Sequence, residues 1–507
     1  MPFQVSEDKG FAVSLPWVCT HGYSWVAPWG LKKGLPCVTE WLQNECFFAS
    51  EDCTVSVTVR EHHLKKRKGR SMHESLAGRV LKYRWLIFWI MALAYVFVYF
   101  HRLCPAVVAM DLQQAFAASG GFMGLLASAY FYPYALMQFP AGLLSDSLGP
   151  RKTVTVFLSI AAAGSLLFGL AQTMEVAVIA RVIVGLGVSM VFIPTMKLLS
   201  QWFRIREFAF MTALLNTMGG IGALTAATPL ALMTGWIGWR SSFQIIGLGT
   251  LTIAVLVWLF VRNKPQDKGW PSLSEIDHSG PGTAAPPITI PLWQGARKVV
   301  TERYFWPVAA WFFFGCGVFF GFAGLWAGPY LMHVYNMSRA EAGNILNMIS
   351  VGMIFGSPLV SYLSDRVFHS RKRVLTLCSS LLLAEMIFLN IFHSGLPTWS
   401  LYIIFIVLSV SSSAIVVIGF TSTKELFPVE IAGTSVGTVN LFPFLGGAIF
   451  QPTLGWILDA YPKTAAGTYS LEGYKMLLLV LLCASVLTVA STFFMKETFP
   501  KAFMGVK

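Results

Sequence analysis

The sequence predicts an all-α protein embedded in a membrane, with twelve crossing helices arranged as two six-helix bundles. Three observations carry this. The chain is 55% hydrophobic and only 12% charged, with a mean hydropathy of +0.63. Twelve apolar stretches run from Trp85 to Phe494, each near the roughly 20 residues a helix needs to cross a hydrocarbon core. Landmarks of the first six stretches also recur in the last six. Inside a bilayer no water satisfies the backbone, so each crossing must be helical.

Residues 1–84 read as a cytoplasmic N-terminal extension. Residues 1–71 hold no long apolar segment, which argues against a cleaved secretory signal. They end in the basic run Lys65-Lys66-Arg67-Lys68-Gly69-Arg70. Two readings stand for this stretch: a basic patch touching anionic lipid, or an upstream, mis-called and disordered stretch with the true start at Met72, which is the favoured one. Four of the eight cysteines (Cys19, Cys37, Cys46, Cys53) fall here, and none forms a close metal-ligand pair.

The first bundle occupies 85–261, with spans 85–109, 121–144, 152–171, 176–199, 208–233 and 240–261. A linker at 262–304 follows, carrying Pro265, Pro271, Pro281, Pro286, Pro287 and Pro291 among polar residues. The second bundle occupies 305–495, with spans 305–331, 342–364, 374–393, 399–421, 433–458 and 474–495. Residues 496–507 form a cytoplasmic tail. The halves echo each other: Leu144-Ser145-Asp146 recurs as Leu363-Ser364-Asp365, Phe203 and Asn216 as Phe427 and Asn440, and Pro229 as Pro452. Near-constant offsets point to duplicated bundles about an axis along the membrane normal, with a solute site between them at the midplane.

The formal charge of +13 would raise a nucleic-acid partner, but the basic residues fall on one side. Arg151, Lys152, Arg204, Arg206, Arg262, Arg371 and Lys372 are among those in alternate connections, whereas the other side holds little beyond Arg240, Arg339, Lys463 and Lys475. This positive-inside pattern puts both termini in the cytoplasm and makes the protein a multi-pass component, expected in the plasma (inner) membrane. No nucleic-acid partner is expected. The expected partners are a small solute, the lipid bilayer and a coupling proton or cation, with the chain acting as a monomer. No cofactor or metal is expected. The absence of a Walker loop, an H-E-x-x-H helix and a nucleophile elbow argues against an enzyme.

Three motifs narrow the class. Gly142-Leu143-Leu144-Ser145-Asp146-Ser147-Leu148-Gly149-Pro150-Arg151-Lys152 follows the second span, Arg181-Val182-Ile183-Val184-Gly185-Leu186-Gly187 lies in the fourth, and Glu425-Leu426-Phe427-Pro428 follows the tenth. Together they resemble the G-x-L-x-D-R-x-G-R-K, R-x-x-x-G-x-G and E-x-x-P signatures of the major facilitator superfamily, over 85–495. The resemblance implies a secondary transporter working by alternating access. It also implies that Asp146, Arg151 and Lys152, with Asp365 and Arg366 in the second half, act as gating latches in which the aspartate faces a helix N-terminus. Such a contact is worth roughly 0.3–1 kcal/mol exposed and up to about 2 partly buried, small enough to break each cycle. Ser147 departs from the usual basic residue. The plain alternative is a solvated loop.

Arg102 is the leading solute contact. It lies late in the first span, beside His101 and before Pro105, with Tyr95 and Tyr99 on the same helical face. A charge at membrane depth must face a cavity or partner, and a guanidinium fork suits a carboxylate or phosphate; snorkelling to the interface is the alternative. The Tyr-x-x-Arg stretch resembles the first helix of the anion:cation symporter and organophosphate antiporter branches. The seventh span lacks the second arginine of the organophosphate branch, which favours a carboxylate or small zwitterion. Tyr130, Tyr134 and Gln138 share one face of the second span, and Asn344 and Asn347 lie in the eighth; all are candidate solute contacts, with helix–helix bonding as the alternative. Arg181 is expected to brace the cavity through backbone carbonyls. Glu385 is the one acid deep within a span, the ninth, which the resemblance implies is a peripheral helix away from the cavity. The expected function is transport of a small organic anion, with a neutral-solute or drug carrier and a non-transporting nutrient sensor as rivals.

Overall fold

The computed structural model describes residues 59–276 and 292–499, apart from 429, 430 and 466. The chain divides into two compact units, Met1–Arg79 and Val80–Lys507. Of the first, the described part is helical from Val59. The expectations for residues 1–58, the first four cysteines included, lie outside the described residues, as does the tail beyond residue 499.

Prolines set where the helices break. A proline cannot donate to the carbonyl four residues earlier, so a continuous helix fails there. The chain forms α1 (Val59–Leu103) and α2 (Pro105–Phe116), parted at Pro105. The expected second span divides into α3 (Gly120–Ser128) and α4 (Phe131–Ser147), because Pro133 leaves Ala129 without its donor. Next come α5 (Pro150–Leu170), α6 (Met174–Val188) and α7 (Phe192–Trp202), with Pro194 parting the last two. That break changes the helical phase between Arg181 and Lys197.

Downstream lie α8 (Ile205–Thr225), α9 (Thr228–Phe260), the short α10 (Leu273–Ile276) and α11 (Leu292–Thr301). The second half holds α12 (Phe305–Gly321), α13 (Ala327–Val334), α14 (Arg339–Tyr362), α15 (Arg371–Ile391), α16 (Thr398–Ala414), α17 (Phe420–Leu426), α18 (Ala432–Val439), α19 (Leu441–Asp459) and α20 (Leu471–Phe494). Wide π-type turns join α12 to α13 and α16 to α17, and extend α14 over Leu363–Val367.

Among the described residues ten helices are long and apolar enough to cross a membrane. One of them, Phe210–Phe260, runs 51 residues. At 1.5 Å per residue it would measure about 76 Å, more than twice a hydrocarbon core. Gly238 breaks it, at φ 75° and ψ 159°, a conformation open to glycine and poor for side-chain-bearing residues.

Packing separates two groups of helices. In the first, α5 lies against α6 and α9, and α4 against α6; in the second, α12 lies against α19 and α20, α14 against α16, and α15 against α16 and α20. A seam joins the groups where α3 and α4 meet α19, α8 meets α14, and α2 meets α13.

Candidate functional site

The site begins with a missing hydrogen bond. Pro105 has no N–H for the His101 carbonyl, and the Arg181 Nη1 donates to that carbonyl instead, at 2.9 Å. Arg181 is 2% exposed and its guanidinium lies 5.1 Å from the Tyr130 ring centre. It thus ties α6 to the kink of α1, as a brace.

Arg102 occupies the last turn of α1 at the seam. Its guanidinium carbon sits 4.6 Å from the ring centre of Tyr99, 5.1 Å from Tyr134, 5.7 Å from Phe320 and 5.0 Å from Phe444. Two of these rings come from the first helix group and two from the second. Tyr95 packs edge-on to Tyr99 at 5.3 Å, and Tyr130 stacks on Tyr134 at 5.7 Å. Arg102 is 5% exposed, its Nε has no partner, and among the described residues no carboxylate lies within ion-pair distance. Ring faces attract a cation by about 0.5–2 kcal/mol each, yet they accept no N–H in the fork geometry that an oxyanion does. The box stabilises the charge, the Tyr130 and Tyr134 side chains share hydrogen bonds with the guanidinium, and the Nε is left without a partner.

One turn below Tyr134, Gln138 is buried and donates to the Tyr134 carbonyl at 3.0 Å. Its Oε1 accepts from the Asn440 amide across the seam at 2.8 Å. The partner contact has a twin: the Asn216 amide donates to the Ser357 hydroxyl at 3.1 Å. Asn216 and Asn440 are one repeated pair, 224 residues apart, and Gln138 and Ser357 are separated by the same 219 residues as Asp146 and Asp365. Asn344 and Asn347 face elsewhere, both bonded to the Thr228 hydroxyl at 2.7 Å.

The gating candidates separate likewise. The Asp146 side chain lies outside the described residues. Arg151 donates from Nε to the Trp258 carbonyl at 2.9 Å and stacks on that indole at 4.4 Å; Lys152 is exposed. Asp365 pairs with Arg371, which also holds Glu425 at 3.2 Å. Arg366 is exposed, so the basic member of this cluster is Arg371, five residues further on. Glu385 is buried with both carboxyl oxygens unpartnered.

The opposite end of the seam holds residues that sequence reasoning missed. The Asp459 carboxylate accepts from the N–H groups of Gly120 and Gly121, both at 2.7 Å, capping α3 from the other half. Arg339 pairs with Asp111 at 2.5 Å, and Gln113 donates to the Tyr469 hydroxyl at 2.6 Å. Burial raises the Asp111 carboxyl above its ordinary range, against the pull of Arg339. The proline effect recurs here: Pro452 frees the Ala448 carbonyl, which accepts from the Tyr132 hydroxyl across the seam at 3.1 Å. Among the described residues no cluster of three or more His, Cys, Asp or Glu could hold a metal.

Comparison with known proteins agrees with this architecture. The transporter YybO of Bacillus subtilis (strain 168) is 24% identical over 388 residues, spanning 74% of this chain and 88% of its own. The glycerol-3-phosphate transporter of the same organism is 24% identical over 353 residues, spanning 67% and 78%. The crystal structure of a bacterial homologue of the human lysosomal transporter Spinster superposes with a TM-score of 0.61 at 18% identity, covering 81% of this chain and 96% of that one, a likeness of fold. The family model of the Major Facilitator Superfamily matches residues 85–451. The chain therefore belongs to the Major Facilitator Superfamily, as a multi-pass integral membrane protein and not an enzyme.

Proposed function

We propose that this protein is a secondary transporter of a small polar organic anion, working by alternating access between two six-helix bundles with twelve crossings in all. The Phe210–Phe260 helix counts as two crossings broken at Gly238, and α3 with α4 as one broken crossing, which brings the ten long helices toward twelve. Both termini would then lie in the cytoplasm of a monomer in the plasma membrane, by the asymmetry of basic residues.

The observation that carries the solute assignment is Arg102: one buried guanidinium, no carboxylate partner among the described residues, at the seam of both helix groups. Tyr95, Tyr99, Tyr130 and Tyr134 would shape the apolar part of the solute. A second buried guanidinium, Arg181, is bonded to the kink of α1 through Nη1, with its Nε and Nη2 without partners among the described residues. One guanidinium ringed by aromatic side chains suits a monoanion, carboxylate or sulfonate, better than a phosphate monoester dianion, although relatives include a glycerol-3-phosphate transporter.

Purified protein tests this with a thermal-shift panel of a monocarboxylate, a sulfonate and a phosphate monoester of matched size, because a ligand that binds the folded state raises its melting point. The monoanions should raise it and Arg102→Ala should lose the response; a full response in that variant would remove the assignment. Counterflow in proteoliposomes then separates a transporter from a sensor, since a sensor exchanges nothing.

A further inference from the structure

Beyond the solute site, a narrow cleft opens at the end of the second helix group where α12 and α15 begin. Its polar lining is Lys372, Lys496, Tyr304, Thr498 and Ser422. Ser422 is 5% exposed, and its hydroxyl has no partner among the described residues. A buried hydroxyl left without a bond is costly unless a ligand or water completes it. The two ammonium groups are underused. Lys372 Nζ donates to the Phe493 carbonyl at 2.8 Å, one of its three N–H bonds, and Lys496 Nζ lies 5.5 Å from the Tyr304 ring centre.

Three carboxylates lie nearby; that of Glu302 accepts from the Tyr304 N–H at 3.2 Å, and the other two are also taken. Glu425 accepts from Arg371 at 3.2 and 3.3 Å and from the Thr498 hydroxyl at 3.0 Å. Glu497 accepts from the Ser370 hydroxyl and from the N–H groups of Arg371 and Lys372. The cleft therefore offers free positive charge and a free hydroxyl. Beside it, Trp306 on α12 and Phe493 and Phe494 on α20 stand more than half exposed, the surface an acyl chain covers in a bilayer.

We infer that this cleft binds the phosphate headgroup of an anionic phospholipid from the adjoining leaflet, held by Lys372, Lys496 and the Ser422 hydroxyl. A phosphodiester brings one charge and two acceptor oxygens, which matches two ammonium groups and one hydroxyl. Basic residues at a membrane surface each draw an anionic lipid by about 1 kcal/mol.

The test is native mass spectrometry of the detergent-purified full chain, titrated with phosphatidylglycerol, with phosphatidylcholine or with inorganic phosphate. The structure predicts a saturable phosphatidylglycerol adduct, with neither phosphatidylcholine nor inorganic phosphate competing for it. Lys496→Gln breaks no hydrogen bond among the described residues and should weaken the adduct about fivefold. Ser422→Ala should weaken it as well, with the melting point in phosphatidylcholine unchanged. An unaltered midpoint in Lys496→Gln overturns the site, and displacement by inorganic phosphate overturns the lipid as its occupant.

Discussion

The starts of α5 and α15 are fastened in the same way with different chemistry. In the first half the chain just past α9 supplies Asn263, whose Oδ1 accepts from the Arg151 N–H at 2.9 Å, and Arg151 reaches back to the Trp258 carbonyl in the last turns of α9. In the second half the chain just past α20 supplies Glu497, which accepts from the Arg371 N–H at 2.9 Å, and Lys372 reaches back to the Phe493 carbonyl. One strap thus ties α9 to α5 and the other ties α20 to α15. One strap ends in a neutral amide and the other in a carboxylate, and only the carboxylate also opposes the positive end of the helix. The two straps share their mechanics and differ in their electrostatics.

Removing each cap separates the two. Glu497→Ala should cost about 1–2 kcal/mol of stability and Asn263→Ala about 0.5–1. Melting points in detergent decide it; equal losses would mean that the charge adds nothing. A smaller effect comes from acid. Burial pushes the Glu497 carboxyl up, but the Ser370 hydroxyl and the N–H groups of Phe499, Arg371 and Lys372 outweigh it and hold it below its usual range. A lowered folded value contributes stability above the ordinary glutamate range and loses it as pH falls through the folded value. The melting-point gap between the natural chain and Glu497→Gln should therefore close on acidification, while the gap to Asn263→Ala stays constant. The smallest effect, a few tenths of a kcal/mol gained, is expected of Asn263→Asp near neutral pH. If that variant instead melts earlier, the amide is there for its own N–H bonds and the parallel between the straps fails.

Much of the architecture was legible because hydropathy and proline act locally. Pro105 marked the kink of α1, and the repeat of Asn216 as Asn440 marked two residues that both reach across the seam. The Arg102 face was legible too, since Tyr95, Tyr99 and Arg102 share one helix. What escaped reading is set by distance and by backbone. Asp459 serves N–H groups more than three hundred residues earlier, and a bare helix start has no residue signature. The pairing of Asp365 with Arg371 closes over the wide turn at Leu363–Val367, which the spacing of residues does not announce. Asn344 and Asn347 found the nearest hydroxyl, Thr228, as short amides in a crowded helix pair do.

Where α3 crosses α19, main chain lies directly on main chain. A Cβ added at Gly120 would come within 2.7 Å of the Gly455 carbonyl oxygen and 2.8 Å of the Tyr469 hydroxyl, closer than carbon can sit. The close approach of the two helices at that end is therefore governed by two absent methyl groups. A single alanine at either glycine would act as a wedge, forcing α3 and α19 apart at their tightest crossing.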